Sequence, residues 1–133
     1  MNLITLNPTA LYDPTDHGYC HIVRADGVSS LAFISGQGGF AADGSLPDRF
    51  SAQVAQTLQN LSHALEALGA EPGHICKLTI FVVDYDEDRL AALNILLIPF
   101  LNNIRRAQSL VPVPRLAIDG MLIEIEAIVA IED

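Results

Sequence analysis

With 133 residues, half of them apolar and 17% charged, the chain is long enough for one domain, residues 1–133, and too apolar to be disordered. Sixteen acidic residues against seven basic ones give a net charge of -9, with Lys77 the single lysine, which argues against a basic patch and against nucleic acid as a partner. No apolar run is long enough to span a bilayer, and Met1 to Ala10 has no basic or long apolar leader segment, so the expected place is the cytoplasm, away from membranes.

The short apolar run Leu3 to Leu6 predicts a first strand, followed by a loop rich in Pro, Asp, Thr and Gly from Asn7 to Gly18. His21 to Ala25 and Leu31 to Gln37 predict two further strands, and Asp26-Gly27 between them is a strong hairpin signal. Gly36 to Leu46 reads as turn. From Phe50 the apolar residues Val54, Leu58, Leu61, Leu65 and Leu68 recur every three or four positions, which predicts a helix with Asp48 as N-cap and Gly69 as its stop. Ile75 to Val83 is apolar at nearly every position and rich in β-branched residues, the pattern of a central strand covered on both faces. A second helix is expected from Asp86 to Asn102, with acidic residues in its first turn and an interruption at Pro99. Ser109 to Ala117 and Met121 to Ile131 predict the last two strands. Pro112 and Pro114 remove donors from the same side of the first of them, so that side should lie at a sheet edge.

The order β, β, β, α, β, α, β, β predicts an α+β fold with two helices packed on one face of a mixed sheet. Two helices cover one face only, and the strand Ile75 to Val83 is apolar on both. A partner subunit is the expected cover for the other.

Among residues with chemistry, Glu124 and Glu126 stand two apart in an apolar strand and therefore share a side. They either face solvent on a half-exposed sheet or serve a site. His17, Cys20 and His21 are metal-ligand types, yet no second cluster offers a fourth ligand at a familiar spacing, so no metal is expected. Cys20 and Cys76 read as unbonded thiols. Ser35 to Gly39 lacks the lysine and spacing of a phosphate loop, and its glycines suit tight turns or a close approach of backbone to ligand.

Three segments in register, Phe33-Ile34-Ser35-Gly36-Gln37-Gly38, Cys76 to Val82 and Gly120 to Ala127, resemble the YjgF/Rid family, also called L-PSP. The resemblance implies a chorismate-mutase-like fold and a homotrimer whose sheets meet in a central barrel, with small-molecule clefts between adjacent subunits. It also implies hydrolysis of reactive enamines and imines to keto acids and ammonia without metal or organic cofactor. By the same resemblance Glu124 holds the attacking water, Tyr19 and the backbone at Ser35 and Gly36 border the cleft, and Asn94 lies near it. The family's arginine, which grips the substrate carboxylate, follows Pro-Ala and precedes Ser or Thr. Here that stretch reads Arg106-Ala107-Gln108-Ser109, and Gln108 takes its place. Activity on 2-imino acids should then be weak or absent, since an uncharged amide cannot form the charge-assisted fork. The adjoining Arg106 is expected in a loop, pointing to solvent. Two other readings remain at this stage: a ribonuclease or translation inhibitor, and a trimer that only binds a ligand or serves structure.

Overall fold

In the computed structural model, which describes residues 1–133, six strands and two helices follow one another as β1 (Asn2–Leu6), β2 (Ile22–Asp26), β3 (Ser30–Gln37), α1 (Phe50–Ala67), β4 (Ile75–Val83), α2 (Glu87–Phe100), β5 (Ala107–Val113) and β6 (Ile123–Ile131). The α+β order expected from the periodicities is the observed one. Four strands form a mixed sheet in the order β3-β6-β4-β5, with β6 antiparallel to both neighbours and β5 parallel to β4 at the edge. The edge place suits Pro112, which has no N–H to offer a further strand.

The hairpin expected at Asp26-Gly27 does not form. Instead β2 pairs with β1 in a separate two-stranded ribbon, and β3 pairs with β6. Gly27 adopts a positive φ of 66°, so the turn chemistry is present, but it carries the chain from ribbon to sheet instead of folding two strands together. The start of α1 also differs. Its N-cap is Arg49, without a side-chain cap, and not Asp48. α2 begins as expected, with Asp86 accepting from the N–H of Arg89 at 2.7 Å, and it ends one residue after Pro99, which supplies no N–H to continue the ladder.

Every second residue of the inner strands faces the helices. Leu78, Ile80 and Val82 of β4 and Ile123, Ile125, Ala127 and Val129 of β6 meet Val54, Leu58, Leu61 and Leu65 of α1 and Leu93 and Leu97 of α2 in one buried core. The alternate residues lie on the sheet's other face, where Phe33, Lys77, Thr79, Glu126 and Ile128 share one shallow depression. No element of the chain covers the part of that face around Phe33 and Leu31. Phe33 is 74% exposed and Leu31 53% exposed on it, an unusual display of large apolar side chains.

Candidate functional site

Glu124 projects from β6 on the uncovered face, and the strand beside it is shaped around its carboxylate. The pairing of β3 with β6 shifts register between Ile34 and Gln37, so Ser35 and Gly36 bulge next to Glu124. A Cβ on Gly36 would overlap the Glu124 carboxylate, so a larger residue there would displace that side chain from its place. Glu124, Gly36, Gln37, Phe40, Asn60 and His63 line an open recess of about 920 Å³. Its walls are set by two amides of α1 that sequence reasoning missed, because both look like ordinary polar helix positions. Asn60 Nδ2 donates to the carbonyls of Gly38 and Phe40 at 2.9 and 2.8 Å, which fixes the strand's exit. Gln53, wholly buried, donates to the carbonyls of Pro47 and Gly120, each at 2.8 Å, and accepts from the N–H of Leu122 at 2.8 Å. It thereby anchors the backbone two residues before Glu124. Gly39 lies against the backbone of Gln53, and a Cβ there would stand 2.8 Å from Gln53 Cα.

Tyr19 and Gln108 meet elsewhere, in a recess of about 280 Å³ at the β5 edge, whose lining includes Tyr12, His17, Tyr85 and Leu110. Tyr12 stands edge-on to Tyr19, His17 and His21, with ring centroids 6.5, 5.9 and 5.2 Å away. The segment is tied to β5 by the N–H of Cys20, which donates to the Arg106 carbonyl at 3.0 Å, and by the bridge between Cys20 and Ala107. The N–H of His21 donates to Asn7 Oδ1 at 2.9 Å and closes the base of the loop. Gln108 Oε1 is buried and has no hydrogen-bond partner within the chain. The same holds for Asn94 Oδ1, which lies on α2 beneath Gly18, one residue from Tyr19. Tyr12 and Tyr85 gave no signal in the sequence beyond being aromatic residues in loops.

Arg106 corrects an expectation. It does not point to solvent: it is 5% exposed, and its Nη2 donates to the carbonyl of Gly73 at 2.7 Å. Its environment is the pair of thiols Cys20 and Cys76. Burial pulls its pKa down, against the smaller opposing effect of the two sulfurs, while burial pushes both thiols up despite the guanidinium. The guanidinium thus belongs to the interior and does not line the Gln108 recess, where no lysine or arginine is found. His17, Cys20 and His21 do not converge either. Cys20 is turned inward with its Sγ donating to the Ile22 carbonyl, and His21 Nε2 is hydrogen-bonded to the carbonyl of Tyr12 at 2.7 Å.

The family model described as Endoribonuclease L-PSP matches residues 12–131. Protein HMF1 of Saccharomyces cerevisiae is 32% identical over 116 residues, which are 86% of this chain and 85% of that protein. Among solved structures, YyfB from Yersinia pestis, described as a protein of unknown function of the conserved Rid protein family, is 31% identical. It superposes with a TM-score of 0.92, covering 98% of this chain and 100% of that one. The YjgF gene product of E. coli is 32% identical with a TM-score of 0.67, over 84% of this chain and 87% of its own.

Proposed function

We infer, because this chain belongs to the endoribonuclease L-PSP family, the YjgF or Rid family of its structural neighbours, that it works as a homotrimer of the chorismate-mutase-like type whose inter-subunit clefts take a small metabolite. One observation carries this reading. Glu124 and Gly36 line one recess and Tyr19 and Gln108 another, so a cleft that uses both needs two chains. The uncovered sheet face, with Phe33 and Leu31 exposed, is the surface for such an assembly. Light scattering in dilute solution should give three times the chain mass of 14.3 kDa. A stable monomer would remove the cleft altogether.

In this reading Glu124 orients a water whose oxygen attacks the carbon of an imine, the tautomer of an enamine. The nitrogen leaves as ammonia and a carbonyl compound remains. Tyr19 and the backbone at Ser35 and Gly36 flank the substrate, with Asn94 behind the Tyr19 segment. Gln108 stands where a carboxylate-gripping arginine would act, so 2-aminoacrylate and other α-imino acids should turn over weakly or not at all. Losing one charged hydrogen bond costs about 1.5 to 3 kcal/mol, or roughly one to two decades in affinity. An ammonia-release assay against an arginine-bearing relative checks this, and equal rates would mean that another group holds the carboxylate. A second reading, ribonuclease activity, is favoured by the description of the family model and opposed by the charge of -9. Cleavage of a labelled single-stranded RNA by the purified protein, abolished by Glu124→Gln, would put it first.

A further inference from the structure

The chain contains three Asp-Gly pairs, Asp26-Gly27, Asp43-Gly44 and Asp119-Gly120, each with its glycine at positive φ. We propose that the fold shields the first two and leaves Asp119 as the residue at which the protein isomerises to isoaspartate. In that reaction the main-chain nitrogen of the following residue attacks the side-chain Cγ. A C–N bond forms, a C–O bond breaks and water leaves, which closes a five-membered succinimide. Water then opens the ring at either carbonyl, and one of the two products runs the main chain through the aspartate Cβ and Cγ. No oxidant, reductant or cofactor takes part. A following glycine favours the attack because no Cβ crowds its nitrogen.

A carboxylate held in place and an N–H already committed both oppose this step. Asp26 is gripped by Arg24, whose Nε donates to its two oxygens at 3.0 and 3.2 Å and whose Nη2 donates at 2.8 Å, and it closes the β1–β2 ladder opposite Asn2. Asp43 Oδ1 accepts from the Ser45 hydroxyl at 2.7 Å and from the Ser45 N–H at 2.9 Å, and these bonds lower its pKa, favouring the ionised form that cannot release an oxygen as water. The N–H of Gly44 is also spent, on the Ala41 carbonyl at 2.9 Å. Asp119 has neither protection. Its side chain is 93% exposed and touches only Arg115 Nη2, at 2.7 Å, a surface pair of little worth. The N–H of Gly120 makes no hydrogen bond within the chain, and the turn is closed by the Met121 N–H on the Ile118 carbonyl at a long 3.2 Å. The turn also lies at the opposite end of β6 from Ile128 and Ala130, the partners of the exposed Phe33 and Leu31.

The position matters because isoaspartate adds one main-chain carbon directly before Gly120. The Gly120 carbonyl and the Leu122 N–H are the two groups through which buried Gln53 anchors the approach to Glu124. Ageing of the protein therefore acts first on the backbone that positions the candidate site.

The test keeps full-length protein at neutral pH and body temperature for several weeks, in buffer and in concentrated urea. A carboxyl methyltransferase that recognises isoaspartate, supplied with labelled S-adenosylmethionine, counts the product, and electron-transfer mass spectrometry of a digest places it. In buffer Asp119 should isomerise at least about fivefold faster than Asp26 or Asp43, the worth of one ordinary hydrogen bond that must break first. In urea the three should react at comparable rates, which assigns the selectivity to the fold. Asp119→Glu should remove most of the product formed in buffer, because the six-membered ring that glutamate requires closes far more slowly. Isomerisation of Asp26 or Asp43 as fast as Asp119 in buffer, the same preference in urea, product that survives Asp119→Glu, or an Asp119 kept silent in the assembled protein overturns the proposal.

Discussion

Replacing Gln53 by leucine should lower the unfolding free energy by about 3 to 5 kcal/mol, because one fully buried amide satisfies three backbone groups that leucine would strand. The carbonyl of Pro47 lies in the loop before α1, and the carbonyl of Gly120 and the N–H of Leu122 lie in the loop before β6, so the Gln53 amide ties two loops together and leucine would leave all three groups without it. Leucine has a similar volume, which keeps the loss of hydrogen bonds apart from the cost of a cavity. Gln59→Leu, exposed on the same helix, should shift stability by no more than about 0.5 kcal/mol. Urea denaturation at one protein concentration compares the two, the fixed concentration being necessary for any oligomer. A loss below about 1 kcal/mol for Gln53→Leu would mean that water enters and replaces the amide.

Phe33→Asp should convert the proposed trimer to monomer at micromolar concentration. Phe33 is the most exposed large apolar residue of the sheet, and in the proposed trimer its ring would be covered by a neighbouring copy. An aspartate there would be withdrawn from water on the face that already holds Glu126, at a cost of several kcal/mol per ion. Ile95→Asp provides the comparison. Ile95 is 71% exposed on α2, between the buried Leu93 and Leu97, and its replacement should leave the assembly intact. Sedimentation velocity distinguishes the outcomes, and a Phe33→Asp protein that remains trimeric would place the interface elsewhere.

Elements whose signal is local periodicity were legible in the sequence. Ile75 to Val83 coincides with β4, and the apolar repeat from Phe50 follows α1, because burial on a helix or strand leaves its spacing in the chain. Pairing was not legible. Asp26-Gly27 predicts a turn and contains nothing about which strand β2 will meet, and its partner β1 precedes the long loop. Arg106 was misplaced for a related reason: Asn102-Asn103 reads as a helix end and the residues before β5 as loop, which they are, but a loop position without strand parity suggested solvent where the side chain is buried. The gathering of Glu124 with Gly36, and of Gln108 with three tyrosines, depends on a register shift and on loop placement that no short window encodes. The substitution at Gln108, by contrast, was visible from one position in a matched segment.

The place of β6 has a consequence for how the protein is made. β6 leaves the ribosome after the other five strands, yet it occupies the middle of the sheet, with Ser30 awaiting Ile131 and Ile75 awaiting Val129. A nascent chain that has emerged only as far as β5 holds β4 and β5 side by side and leaves β3 without a neighbour. Two strand edges, on β3 and β4, then stay open for the whole of synthesis. Such edges recruit other chains, and pairings this distant in sequence close slowly. Translation of β6 is therefore the committed step, and a chain stalled before Met121 should be the form that chaperones retain.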